Sequence, residues 1–321
     1  MRPFSQLTLR GRARRLRALA QAALANYDLD VRRLRLISNT WNCVFRLDTP
    51  RGPLILRVTL PGHGHSPASV RSEAAFLDSL ARESTIDVPQ PVPARDGRLV
   101  VSAEAPGVPE PRMCVVYTWI RGTNLSGSLN PASLHLHGEL HARLHAFGAG
   151  WRTPPDFAIN DFTRVFHYPS PVVLWDADLL GYEALFREAL QASDQLIAVV
   201  RRRDPVIVTH GDLHQANALL HRGVLRPIDF EDLMWATRGL DVGTSLFYLS
   251  RVDYEERRDA FRAGYESVAP WPEGAPGEID LLRVPRALLL MNFMAGDSAL
   301  RVGDWTSWVE RMAALARTAC R

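Results

Sequence analysis

The stretch VTHGDLHQANALL, residues Val208–Leu220, sets two His, an Asp and an Asn in a tight turn between two apolar runs. Twelve residues after Asn217 another Asp, Asp229, ends a second apolar run inside PIDFED. Apolar runs of four or five residues bounded by turn residues read as short strands. The polar residues between them therefore sit on a loop that the strands hold still, and a soluble chain gains nothing in stability from such a loop.

The rest of the chain divides around this feature. GRARRLRALAQAALANYDLD carries Leu16, Leu19, Ala20, Ala23 and Leu24 at helical spacing, with Arg on the opposite face. VRRLRLISNT, WNCVFRLDT and LILRVTL read as strands, with Thr49–Pro50–Arg51–Gly52–Pro53 as turn chemistry between the last two. SVRSEAAFLDSLARES reads as a helix, and GRLVVSAEA and MCVVYTWI as further strands. After Arg121-Gly122 the pattern turns helical, over roughly 131–148, 178–200, 240–250, 253–268, 278–296 and 303–320. The expected fold class is α+β: a β-rich N-terminal lobe over 1–120 and a larger helical lobe over 121–321.

Composition narrows the class further. With 46% hydrophobic and 23% charged residues, 321 residues suit one large or two modest globular domains. The longest apolar runs fall far short of the ~18 residues that would span a bilayer. Three scattered cysteines (Cys43, Cys114, Cys320) and the lack of an apolar leader core predict a cytoplasmic protein. Every basic residue is Arg, so a Schiff base is unavailable and any phosphate clamp must use guanidinium groups. The acid-free, Arg-rich first 27 residues fit a docked helix better than a nucleic-acid arm or transit peptide. No nucleic-acid or membrane partner is expected, and nothing in the sequence sets an oligomeric state.

The loop's spacing, Asp-x4-Asn followed by a strand and Asp-Phe, suits phosphoryl transfer. That reaction needs a carboxylate to orient an acceptor hydroxyl and take its proton. It also needs oxygen ligands for Mg2+ on the phosphates. Asp212 suits the base, and Asn217 and Asp229 suit the metal. Taken singly, each reads as a helix cap or a loop polar residue. The ordered set on strand flanks does not.

HGDLHQANALL with IDFED resembles the phosphotransferase enzyme family. These kinase-like folds include aminoglycoside phosphotransferases, choline kinase, type II homoserine kinases and the bacterial stress response kinase. The resemblance covers nearly the whole chain and implies a two-lobed kinase-like fold with ATP and Mg2+ as cofactors. WNCVFRL resembles the family strand that places Asn42 beside the nucleotide loop. LILRV resembles the next strand, which implies Arg57 as the phosphate-binding base. Glu73 matches the acid that holds that base, with Glu83 as a weaker competitor. Family analogy puts adenine against the main chain of Tyr117–Ile120, with Thr118 and Ile120 as candidates. GELHARLHAFG resembles the helix before the catalytic loop, and GLDVGTSLFYL implies a structural Asp241. The loop Ser38–Asn42 lacks glycine, HGD stands for HRD, and Asp229-Phe230-Glu231 stands for DFG. These departures suit a kinase of small-molecule hydroxyls, with a stress-response-type protein Ser/Thr kinase and a weakly catalytic nucleotide-binding regulator as alternatives.

Several residues stay open. His137, His141 and His145 recur every four residues, which fits a zinc site or, more simply, a polar helix face with one buried His. His214 reads as a proton shuttle or a loop histidine bonded to backbone. Glu231 and Asp232 read as metal ligands, as an attraction for an amine, or as solvated acids. Trp151, Trp175, Trp235, Trp271, Trp305 and Trp308 read mostly as core, and FTRVFHYPSPVVLWD as an acceptor-side loop.

Overall fold

The computed structural model describes residues 3–39, 42–60, 66–250, 253–296 and 304–320. Thr40 and Trp41, which the sequence placed in the strands around the nucleotide loop, lie outside the described residues, as does Gly303 at the start of the last expected helix. The chain divides into two compact units, residues 1–121 with 153–159, and residues 122–152 with 160–321. The division follows Arg121 rather than Ile120, and the short segment 153–159 belongs to the first unit, where the Ala158 N–H donates to Ser72 Oγ at 2.8 Å.

In the first unit, helix α1 (Leu9–Leu24) starts at Thr8, whose hydroxyl accepts from the Gly11 N–H. Its Leu16, Leu19, Ala20 and Ala23 are buried, so the expected docked helix is present. Strands β1 (Arg33–Asn39), β2 (Asn42–Thr49) and β3 (Gly52–Thr59) form an antiparallel meander. Helix α2 (Pro67–Glu83) begins with a capping box between Ser66 and Ser69 and Pro67 in its first turn, where a missing N–H costs nothing. Strands β4 (Val101–Ala103) and β5 (Arg112–Thr118) complete a five-stranded sheet of order β1-β2-β3-β5-β4. Alternate residues Cys43, Phe45, Leu47, Leu56 and Val58 pack with α1 into one core.

The second unit opens with β6 (Thr123–Asn124) and α3 (Pro131–Gly150), the latter again capped reciprocally, by Asn130 and Ser133. Next come β7 (Asn160–Asp161), α4 (Glu183–Arg203), β8 (Val206–Thr209), β9 (Ala218–His221), β10 (Val224–Pro227) and β11 (Met234–Thr237). They form two small sheets, β10-β9-β6 and β7-β11-β8. Helices α5 (Arg238–Phe247), α6 (Tyr254–Glu266), α7 (Glu278–Leu281), α8 (Val284–Gly296) and α9 (Trp305–Ala319) complete it. The single helix expected over 278–296 is two, because Pro285 cannot donate within a continuous helix and sits in the first turn of α8 instead. Helices α3 and α6 approach closely: a Cβ on Gly138 would lie 1.8 Å from the Phe261 carbonyl oxygen, and one on Gly264 1.8 Å from that of His135. Trp175, Trp271, Trp305 and Trp308 pack against the core, as their number and spacing suggested.

Candidate functional site

The turn Thr209–Asn217 joins β8 to β9, and its backbone is pinned from behind. Gly211 has φ +79°, and a Cβ there would meet the Asp232 carbonyl oxygen at 2.1 Å, so only glycine fits. The Gly211 N–H donates to Asp241 Oδ1 at 2.8 Å, and Asp241 Oδ2 takes His145 Nε2 at 2.9 Å. With Nε2 donating, His145 Nδ1 accepts from the Tyr265 hydroxyl at 2.9 Å, so the ring is neutral. Burial would raise the Asp241 carboxyl, but bonds from His141 and His145 hold it well below the carboxylate range. Asp241 thus has the loop-supporting position that the resemblance implied.

Three more contacts grip the Leu213 carbonyl. His137 Nε2 and His141 Nε2 lie 3.1 and 3.0 Å from the Leu213 carbonyl oxygen, which also accepts from Ser245 Oγ at 2.6 Å. His137, His141 and His145 are all essentially unexposed. The expectation of a polar face with one buried His is therefore corrected, because α6 and the loop cover all three. His141, His145 and Asp241 are close enough to share an ion, but His145 and Asp241 already satisfy each other.

On the open side of this scaffold the loop presents Asp212, 15% exposed at its side chain. Asn217 donates through Nδ2 to the Asp212 carbonyl oxygen at 2.9 Å. The strand before Asp229 is tied to the same loop, since the Ile228 N–H donates to the Asn217 carbonyl at 2.9 Å and His210 Nε2 bonds the Ile228 carbonyl at 3.1 Å. Asp229 itself has φ 66° and ψ 63°, a left-handed backbone rare for a residue with a Cβ. Burial pushes the Asp212 carboxyl up; Arg286 opposes the rise, while the charges of Asp232 and Asp229 add to it. The three expected site residues of this unit, Asp212, Asn217 and Asp229, are brought together.

Sequence reasoning missed the cation of the site. Arg286 on α8 donates through Nη2 to Asp212 Oδ1 and to the Tyr248 hydroxyl, with Nε also on Tyr248 at 3.0 Å. The available signal was that Arg286 is the one charged residue in the apolar stretch VPRALLLMNFMAG. Tyr168, from the irregular 162–176 stretch, donates to Asp232 Oδ1 at 2.5 Å. His214 stacks on Tyr248 with centroids 4.2 Å apart, and its Nδ1 accepts from the Ala216 N–H at 3.0 Å. Burial and Arg286 hold His214 down, to about 3, which favours the backbone-bonded histidine over the proton shuttle.

In the first unit, Arg57 on β3 lies between Val44 of β2 and Val115 of β5. Its Nη1 donates to Glu73 Oε1 at 2.8 Å and its Nη2 to Oε2, a two-pronged pair that is 8% and 4% exposed. Glu73, not Glu83, holds the base, and the Tyr117 hydroxyl adds a bond to Glu73 at 3.4 Å. Asn42 is buried at the start of β2, opposite Thr59. The Thr118 N–H donates to the Gln90 carbonyl and the Thr118 hydroxyl accepts from the Gln90 N–H, at 2.9 Å each. Ile120 follows the end of β5.

No curated protein sequence matches the chain. Solved structures do. A microcompartment-associated aminopropanol kinase matches with TM-score 0.73 and 25% identity, over 94% of this chain and 95% of that one. An amicoumacin kinase in complex with AMP-PNP, Ca2+ and Ami matches with TM-score 0.73 and 18% identity, over 94% and 93%. Choline kinase from Cryptosporidium parvum Iowa II matches with TM-score 0.59 and 15% identity, over 95% of each chain. The fold is thus the kinase-like α+β fold. Residues 33–277 match the phosphotransferase enzyme family, well over half of the length. The chain belongs to the phosphotransferase enzyme family and is a kinase with an alcohol group as acceptor.

Proposed function

We propose that the protein moves the γ-phosphate of ATP to the hydroxyl of a small amine-bearing alcohol. The placement of Asp212 carries this reading: a carboxylate on a rigid loop, beside Asn217 and Asp229. Asp212 takes the proton of the acceptor hydroxyl. The freed oxygen bonds to the γ-phosphorus, the bond from that phosphorus to the β–γ bridging oxygen breaks, and its electron pair leaves with ADP. Arg57, fixed by Glu73, contacts the phosphates. Asn42, Thr118 and Ile120 are assigned to the nucleotide, with Thr118 limited to groups that Gln90 leaves open.

The donor set fits Mg2+. Asn217 uses its amide nitrogen on the Asp212 carbonyl, which leaves its amide oxygen as a hard ligand, and Asp229 adds a carboxylate. When bound, the ion would offset charge on the transferring phosphoryl group. Charge supports the acceptor class. Asp212 is matched by Arg286 and Asp229 is assigned to the metal, whereas Asp232 is held by a neutral Tyr168 hydroxyl. We assign Asp232, whose side chain accepts from that neutral hydroxyl, to an ammonium group of the acceptor, in keeping with the likeness to an aminopropanol kinase.

The test incubates the protein with γ-labelled ATP, Mg2+ and a panel of amino alcohols paired with their deaminated analogues. Label should enter the amino alcohols, and Asp212→Ala should reduce transfer by about 10²–10⁴-fold. Full transfer by that variant would sink the role of Asp212. Label on protein would move the reading to a protein kinase, and ATP binding without transfer to any acceptor would move it to a regulator.

A further inference from the structure

The two oxygens of Asp212 have unequal surroundings. Oδ1 receives Arg286 Nη2 and the Tyr248 hydroxyl, the latter at 3.3 Å. Among the described residues, Oδ2 has only long approaches, Asn217 Nδ2 at 3.4 Å and His214 Nε2 at 3.6 Å. Arg286 is itself fixed, 6% exposed as the one charged residue of its helix, and braced by two bonds to Tyr248. Burying a guanidinium there costs free energy that packing alone does not return.

We infer that Arg286 and Tyr248 form a clamp that locks the Asp212 carboxylate by Oδ1 and so presents Oδ2 to the acceptor hydroxyl. This rests on the proposed role of Asp212 as base. A carboxylate turns easily about its last bond, since that torsion is broad and nearly two-fold. Two donors on one oxygen remove that freedom and fix where the other oxygen's lone pairs point. Arginine suits the task because it stays protonated and brings no competing base. A lysine would give a point charge with no fork to hold both Asp212 and Tyr248. Arg286 and Tyr248 are positioning residues: the proton passes from the acceptor oxygen to Oδ2, and neither clamp residue gains or loses one.

The experiment is a double-mutant cycle on kcat, with nucleotide affinity followed in parallel. Arg286→Met should lower kcat by about 10²-fold, the order expected for a misplaced catalytic group, while the KM for ATP holds. Tyr248→Phe should act in the same direction and more weakly, and Arg286→Lys should recover only part of the loss. In an Asp212→Asn background, where the clamped carboxylate is gone, Arg286→Met should cost nothing further. An unchanged or higher kcat in Arg286→Met would overturn the clamp, as would a loss confined to the acceptor KM, which would make Arg286 an acceptor ligand. An equal loss in both backgrounds would make Arg286 structural. If Arg286→Met does not fold, Tyr248→Phe decides by the same cycle. Full transfer by Asp212→Asn alone would instead remove the base assignment beneath the clamp.

Discussion

Arg57 with Glu73 in the first unit is a buried arginine–carboxylate pair, and Arg286 with Asp212 in the second is a partly buried one. Their working ends are opposite. On the function proposed above, the carboxylate of the first pair serves the arginine, which is assigned to phosphate, and the arginine of the second serves the carboxylate, which is assigned to the acceptor hydroxyl. They also differ in what surrounds them. Each carboxylate has a tyrosine hydroxyl as a further donor, Tyr117 for Glu73 and Tyr248 for Asp212, but Asp212 also stands on a loop held by Asp241, three histidines and Ser245. A similar contact can therefore position its cation in one place and its carboxylate in another.

The largest expected effect separates the two. Glu73→Ala leaves Arg57 buried without its carboxylate and should lower stability by about 3–5 kcal/mol. Asp212→Ala should cost less, because Arg286 keeps the Tyr248 oxygen and the nearby Asp232 charge. Denaturant midpoints of the two variants test this, and equal losses would erase the contrast.

The next effect probes the support beneath Asp212. Asp241 accepts from the Gly211 N–H at Oδ1 and from His145 at Oδ2, with His141 Nδ1 a further 3.5 Å from Oδ2. An Asp241→Asn amide turns a donor toward one of those donors, a mismatch worth about 1–3 kcal/mol. Transfer should fall while ATP affinity at Arg57 holds. Unaltered kcat in this variant would show that the loop needs no such anchor.

The smallest effect is graded with pH. His137 is held well below its usual range by burial, with His141, His214 and His210 adding to the drop and the Leu213 carbonyl opposing it. His145 is lowered by burial too, against the pull of Asp241, with His141 and Arg238 adding to the drop. The unfolded chain then binds protons that the folded chain refuses. Stability is complete above about pH 6.5 and falls as pH drops below it, by at most about 1.4 kcal/mol per pH unit for each histidine. The first unit has no histidine among its described residues. Hydrogen exchange at pH 7 and pH 5, corrected for intrinsic rates, should therefore show loosening in α3 and α5 and little in β2 and β3. Uniform loosening would remove this distinction between the units.

What the sequence made legible was local or close to local. Asp212 and Asn217 lie five residues apart on one loop, and Asp229 follows one hairpin later, so their spacing alone suggested a shared task. Arg57 and Glu73 could be matched because a strand followed by a helix places them at recognisable positions. Arg286 was hidden by distance: it lies 74 residues beyond Asp212, and one Arg in an apolar run reads as a strand or helix edge until its partner is known. The histidines showed their common face by their spacing. Their burial depends on α6 and on the Leu213 carbonyl, and helical periodicity reports neither. Thr118 looked open in sequence because backbone bonds to Gln90 leave no trace in residue type.

The left-handed backbone at Asp229 has a consequence for anyone who tries to toughen this protein. A residue with a Cβ gives up about 1 kcal/mol or more to stay in that conformation, a strain that glycine does not bear. A screen that rewards heat resistance alone would thus favour Asp229→Gly and, on the reading above, discard a metal ligand in the same step. At this position durability and turnover select for different residues, and the sequence in hand records which was chosen.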